Sequence, residues 1–144
     1  MIPRYSLPRM TAIWSEENRF RKMLDVELYA CEALAKKGKI PKSALAVIQR
    51  RARFDVERIK EIEAETNHDV IAFIKNLSEH IGEDAKYVHM GLTSSDVLDT
   101  GLSVQMREAC DILIDDVKRL MVILRQKARR HKKTLMIGRT HSVH

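Results

Sequence analysis

The chain has 144 residues, about the size of one ordinary domain, and a net charge of +6. Its 44% hydrophobic and 32% charged residues are typical of a soluble globular protein and exclude an intrinsically disordered one. No apolar run is long enough to cross a bilayer, and the first residues lack the apolar stretch of a signal peptide. Its only two cysteines, Cys31 and Cys110, lack C-x-x-C spacing, which favours free thiols in the cytoplasm.

The whole chain has only 5 Gly and 3 Pro, which favours helix, and its first eighty residues predict four helices with short joints. Ser15 is a good N-cap for the first helix, and Gly38 ends it. Pro41 opens a shorter second helix, and Asp55 can cap a third. A fourth runs from about 69 to 80. Apolar residues at helical spacing predict the buried faces: Phe20, Leu24, Leu28, Cys31, Ala35, Ala44, Leu45, Ile48, Ile59, Ile62, Val70, Phe73, Ile74 and Leu77.

The longest predicted helix runs from about 94 to 131. Its apolar positions follow steps of four, four and three, an 11-residue period that favours a nearly straight helix. At 1.5 Å per residue it would span roughly 55 Å, too long for a compact domain of this size. We therefore expect this stripe to pack against a partner outside the chain: Leu98, Leu102, Met106, Ala109, Leu113, Val117, Leu120, Leu124 and Ala128.

Positive charge is densest between 125 and 133, at the end of this long helix. Cations at a helix C-terminus complement the helix dipole. No aromatic residues interleave the cluster, as stacking on nucleic-acid bases would require. We interpret it as a solvated helix end, with a nucleic-acid binder as the alternative.

At two predicted helix starts, polar residues could bind an anionic ligand or take part in catalysis. Thr93 and Ser94 open the long helix, where hydroxyls, free N–H groups and the positive dipole end can hold a carboxylate or phosphate. The alternative is a capping box, since Thr93 and Asp96 have T-x-x-D spacing. At the fourth helix, Asn67 or Asp69 could cap while the intervening histidine projects as a surface or catalytic group.

A second histidine motif, Arg139-Thr140-His141, follows Gly138 outside any regular helix. An imidazole there can act as general acid or base, and Arg139 can hold an anion. His141 and His144 do not form a convincing metal pair, because no carboxylate or cysteine with ligand spacing accompanies them. We therefore predict no metal site.

The order of these motifs resembles the adenylosuccinate lyase family of the fumarase/aspartase superfamily over essentially the whole chain. The Thr-Ser-Ser-Asp and Arg-Thr-His blocks are similar to the first two superfamily motif regions. The third, a mobile serine loop of Gly-Ser-Ser-x-Met-Pro pattern, is not among these residues. The matching segments are Arg4-Tyr5, Ile13-Trp14, Asn67-His68-Asp69-Val70, the run 88–100, and Gly138-Arg139-Thr140-His141.

The resemblance implies an all-α fold. Residues 1–110 would form a small N-terminal helical domain, and 111–144 would begin the central long-helix bundle. It further implies a cytoplasmic homotetramer that shares active sites between subunits. The implied reaction is elimination of fumarate from adenylosuccinate, giving AMP, and from the succinylocarboxamide ribotide of purine biosynthesis. The resemblance implies no cofactor, no membrane and no nucleic acid. Another superfamily lyase, a cycloisomerase or a helical scaffold are the alternatives.

The resemblance also implies roles for individual residues. His141 would be the acid, and the base would be the serine of the third motif, so the 144 residues alone would be inactive. His68 would bind and orient substrate in the catalytic centre, flanked by Asn67 and Asp69. The remaining residues are implied in substrate binding: Thr93 and Ser94 on a succinyl carboxylate, Arg4 and Tyr5 on the phosphate and ribose, and His89 near the phosphate.

Overall fold

The computed structural model describes residues 2–144, which form an all-α fold, as predicted. The α-helices are α1 (Pro8–Ile13), α2 (Glu16–Lys36), α3 (Lys42–Arg51), α4 (Val56–Thr66), α5 (Asp69–Ile81) and α6 (Ser94–Arg130); short 3-10 helices span Pro3–Tyr5 and Glu83–Tyr87. The chain divides into two compact units, Met1–Ala109 and Cys110–His144. No helix within residues 2–144 is long and apolar enough to cross a membrane.

The predicted helix boundaries depend on local signals, and the structure confirms them. The Ser15 side chain accepts a hydrogen bond from the Asn18 N–H at 3.1 Å, which caps α2. Asp55 caps α4 in the same way through the Arg58 N–H at 2.9 Å. Gly38 follows the end of α2 with φ of 71°, a left-handed conformation that glycine adopts without strain.

The core of the first unit lies among α2, α3, α4 and α5 and centres on three phenylalanines. The ring centroids of Phe20 and Phe73 are 5.7 Å apart, and Phe54 lies within 6.4 Å of both. Complete burial of one such side chain contributes about 1.5–3 kcal/mol. Of the apolar positions predicted in the first four helices, Leu28, Leu45 and Ile74 are half-buried against the core and the others are buried.

Helices α4 and α5 form a hairpin that polar side chains cross-link. The Arg58 guanidinium binds the Glu79 carboxylate at 2.8 Å and holds the pKa of Glu79 below its usual range. The buried Asn76 side chain accepts from the Asp55 N–H at 2.9 Å. These cross-links join the start of α4 to the last turns of α5, at the end of the hairpin opposite its turn at Asn67.

In the first turns of α6, residues outside the apolar stripe are buried. These are Val97, Gly101 and Gln105, whereas Leu102 and Met106 of the stripe, which we expect to meet a partner outside the chain, are about half exposed. Gly101 permits close approach to α2: an added Cβ would lie 3.5 Å from the Lys22 Cβ. Gln105 donates to the Ile13 carbonyl at 2.6 Å. Apolar periodicity alone cannot mark a glycine and a glutamine as packing residues.

In the second unit, the remainder of α6 exposes its apolar side chains. Each shows about half of its surface to solvent: Leu113, Ile114, Val117, Leu120, Met121, Val122, Ile123 and Leu124. We call this surface the α6 stripe. After α6, the Thr140 and Val143 backbones exchange two hydrogen bonds of 2.9 Å around a tight turn.

Candidate active site

The Asn67-His68-Asp69 segment lies at the joint between α4 and α5. Asn67 has φ of 51° and ends α4, a left-handed conformation that asparagine tolerates better than most residues. His68 is the N-cap of α5, and its Nδ1 accepts from the Ile71 N–H at 3.3 Å. The prediction that Asn67 or Asp69 caps α5 is therefore wrong, because Asn67 ends the preceding helix and Asp69 already lies inside α5.

The cap determines which nitrogen of His68 can meet a ligand. An Nδ1 that accepts a hydrogen bond has no proton, so the neutral ring has its N–H at Nε2. The side chain is 42% exposed. His68 thus presents an Nε2–H donor to solvent at the start of a helix, where the dipole favours anions.

The same joint borders a polar pocket of about 500 Å³. The Arg19 guanidinium lies 3.7 Å from the Asp69 carboxylate, and its buried Nε has no hydrogen-bond partner among residues 2–144. Lys60 crosses the pocket to bind Glu16 at 2.8 Å, a contact that raises the pKa of Lys60. Sequence reasoning missed Arg19 and Lys60, since single cations on amphipathic helices match no motif.

His89 is held by a buried carboxylate that the sequence did not reveal. Its backbone N–H donates to Glu27 Oε2 at 2.8 Å, and its Nδ1 lies 2.6 Å from Glu27 Oε1. Glu27 is only 1% exposed, in the middle of the buried face of α2. A charged residue at a core position of an amphipathic helix was the available signal, because such a charge needs a partner.

Ser94 and His89 line one small pocket of about 160 Å³, together with Val70 and Ile71 from the first turn of α5. Thr93 is exposed beside them, and its N–H donates to the Asp96 carboxylate at 2.8 Å. That bond is one half of the predicted capping box. It uses the Thr93 backbone rather than its hydroxyl, which has no hydrogen bond recorded within residues 2–144.

The predicted site residues of the first unit therefore line two separate pockets: Asn67, His68 and Asp69 line the polar one, and His89 and Ser94 line the small one. N–H groups and hydroxyls at two helix starts, beside two histidines, suit a ligand with several negative charges. In the part of the chain that the structure describes, no group of three His, Cys, Asp or Glu residues could hold a metal ion.

Three other predicted residues lie in their own segments. Arg4 and Tyr5 are exposed in the first 3-10 helix, with the guanidinium 4.8 Å from the tyrosine ring centroid. His141 lies in the tight turn of the second unit with φ of 49°. Its Nδ1 is 3.0 Å from the Thr140 hydroxyl, and the ring is exposed.

Comparison with known proteins defines the class to which this arrangement belongs. A family model described as a lyase matches residues 4–144, so the chain belongs to that lyase family. The curated relatives include adenylosuccinate lyases that match the whole chain. Identity is 54% with that of Bacillus subtilis (strain 168), 50% with that of Aquifex aeolicus (strain VF5) and 45% with that of Synechocystis sp.. The resemblance predicted from the motifs is thus confirmed.

The chain spans about a third of the length of these relatives, 33% to 34% of each. The solved structures that share its fold include two enzymes. The 3-carboxy-cis,cis-muconate lactonizing enzyme from Pseudomonas putida matches with a TM-score of 0.88 and 35% identity, over 97% of this chain and 34% of that one. A fumarate lyase from Mesorhizobium sp. BNC1 matches with a TM-score of 0.86 and 29% identity, over 94% and 33%.

Proposed function

We propose that the full-length protein is an adenylosuccinate lyase of purine biosynthesis. It would eliminate fumarate from adenylosuccinate to give AMP, and from the succinylocarboxamide ribotide of the same pathway. The main support is identity of 45% to 54% with adenylosuccinate lyases over this entire chain. The predicted polar blocks lie in the same matched region.

The reaction needs an acid for the departing nitrogen and a base for the proton beside a carboxylate. We assign the acid role to His141, whose exposed ring lies outside a helix, and the base role to the serine loop of the family's third motif. In this proposal the 144 residues alone are inactive, because positioning of both groups supplies much of the rate advantage.

The substrate has one phosphate and two carboxylates, and the helix starts suit such charges. Ser94 and Thr93 at the start of α6 would hold a succinyl carboxylate, since N–H groups and the dipole favour anions there. His68 would donate its Nε2–H to the substrate, with Asn67 and Asp69 alongside. Arg4, Tyr5 and His89 would contact the phosphate and ribose.

We further propose that the protein acts in the cytoplasm as a homotetramer with active sites shared between subunits. The α6 stripe supports this assembly, because monomers rarely expose an apolar surface of that length. The proposed partners are the small-molecule substrates and other copies of the chain, without nucleic acid or membrane. No cofactor is proposed.

The test is an absorbance assay for adenylosuccinate cleavage by the full-length protein and two histidine variants. His141→Ala should lower kcat by about 10²–10⁴-fold. The matched control is His80→Gln, at the end of α5, where the ring only accepts from Arg53 at 3.2 Å; its kcat should stay within about twofold of wild type. A loss of less than tenfold for His141→Ala would remove His141 from the acid role.

A second candidate function is lactonisation of a carboxymuconate, since the Pseudomonas putida lactonizing enzyme shares the fold at 35% identity. The same purified protein should be assayed with 3-carboxy-cis,cis-muconate. Turnover of that compound without turnover of adenylosuccinate would overturn the proposal.

A further inference from the structure

We propose that Glu27 is a positioning residue for His89, an inference that rests on the proposed function. Glu27 does not face the site itself. It lies in the core of the first unit, 62 residues before His89 in the sequence, and contacts His89 from the buried side. Its role would be to fix which ring nitrogen of His89 faces the substrate and how the ring is oriented.

Burial gives the first argument. A carboxylate removed from water destabilises the fold unless hydrogen bonds compensate it. Within residues 2–144, the two hydrogen bonds of the Glu27 side chain both involve His89: its backbone N–H at 2.8 Å and its Nδ1 at 2.6 Å. The buried Glu27 carboxylate is therefore compensated by hydrogen bonds to His89 alone among these residues.

The backbone of His89 gives the second argument. Its φ of 62° lies in the left-handed region, which is unfavourable for a residue that has a side chain. In this conformation the N–H and the ring of His89 reach the two oxygens of one carboxylate. The paired contact thus holds both the backbone and the side chain.

The chemical consequence concerns the two ring nitrogens. An ionised Glu27 only accepts, so in this proposal Nδ1 of His89 has the proton that lies between them, and Nε2 remains for a ligand. The ring is 24% exposed and shares its small pocket with Ser94. When Nε2 is also protonated, it can donate to an anionic oxygen. The negative charge of Glu27 then stabilises the positively charged imidazolium.

The test uses the full-length enzyme with adenylosuccinate and the variants Glu27→Gln, His89→Gln and the double variant. Glu27→Gln keeps the shape but removes the charge, so KM should rise by about 10- to 100-fold, as expected when a charged hydrogen-bonding partner is lost. The matched control is Glu32→Gln on the same helix, which binds Gln49 at 2.7 Å away from the site. Its KM should not change.

The double variant separates positioning from general stability. If Glu27 acts through His89, adding Glu27→Gln to His89→Gln should leave KM unchanged. Multiplied effects on KM, or a normal KM in folded Glu27→Gln, would overturn the proposal. If Glu27→Gln does not fold, Glu27→Asp serves instead, because its shorter side chain keeps the charge but cannot make both contacts.

Failure of the proposed function is distinguishable from failure of this inference. If the wild-type enzyme does not cleave adenylosuccinate, the proposed function fails alone. The ring nitrogens of His89 then decide the inference, read by ¹⁵N NMR of the 144-residue chain with His89→Gln for assignment. We expect a proton at Nδ1; a ring protonated only at Nε2 would overturn the role of Glu27.

Discussion

Replacing Gly101 tests how α6 approaches α2 beneath the start of the candidate site. Gly101 is buried, and a Cβ added there would meet the Lys22 Cβ at 3.5 Å, the Lys22 carbonyl carbon at 3.8 Å and the Met23 nitrogen at 3.8 Å. These are ordinary van der Waals distances, so alanine fits without displacement. A leucine adds carbons beyond Cβ, in the direction of the α2 backbone, which cannot yield as a flexible side chain can.

The two substitutions should therefore change stability with opposite signs. Gly101→Ala should raise the free energy of unfolding by about 0.5–1 kcal/mol, because alanine loses less backbone entropy than glycine in a helix interior. Gly101→Leu should lower it by about 1–3 kcal/mol through overpacking. We expect the two variants to differ by about 1.5–4 kcal/mol.

The assay is urea unfolding of the 144-residue chain, followed by circular dichroism. Thr100 is exposed one position earlier on the same helix, so Thr100→Ala and Thr100→Leu provide a matched pair. That pair should stay within about 0.5 kcal/mol of wild type. If Gly101→Leu were as stable as Gly101→Ala, α6 would not pack closely on α2 at this point, and the reasoning from Gly101 would be refuted.

Other features of the structure give four further predictions. Asp96→Ala should lower the free energy of unfolding by about 1 kcal/mol through loss of the cap at the start of α6. Thr93→Ala with Ser94→Ala should instead raise KM at least tenfold in the full-length enzyme; earlier melting with a normal KM would favour capping alone. In a Cys110→Ser chain, a thiol reagent should reach Cys31 only on unfolding, since burial raises the pKa of Cys31 to about 11. Because the unfolded thiol ionises near its ordinary value of 9.0, the free energy of unfolding should fall as the pH rises from about 9 to about 11, and a flat profile would contradict this. The isolated 144-residue chain should self-associate through the α6 stripe and show no turnover; a monomer by light scattering, or cleavage of adenylosuccinate, would contradict it.

The sequence predicted those parts of the fold that depend on local signals. Ser15 and Asp55 cap their helices as predicted, because a cap needs only a short side chain and an N–H two or three residues ahead. Gly38 ends α2 for an equally local reason.

Interactions between distant residues were not predictable in the same way. The packing of Gly101 on Lys22 depends on the approach of two helices, which apolar periodicity does not record. The bond from Glu27 to His89 joins positions 62 residues apart. Of the candidate site, the sequence predicted the polar residues at the helix starts, and their roles in catalysis and binding stay predictions.

The histidine cap of α5 has a consequence for how loss-of-function variants are interpreted. Nδ1 of His68 caps the start of α5, and in the proposed function its Nε2–H donates to the substrate. A His68→Ala substitution removes both, so misfolding and lost chemistry become indistinguishable in the phenotype. Asparagine or serine at the same position can cap a helix but has no imidazole. Under the proposed function, such a residue would therefore preserve the scaffold while removing the group that contacts the substrate, and in a natural population it would mark a stable protein with impaired function.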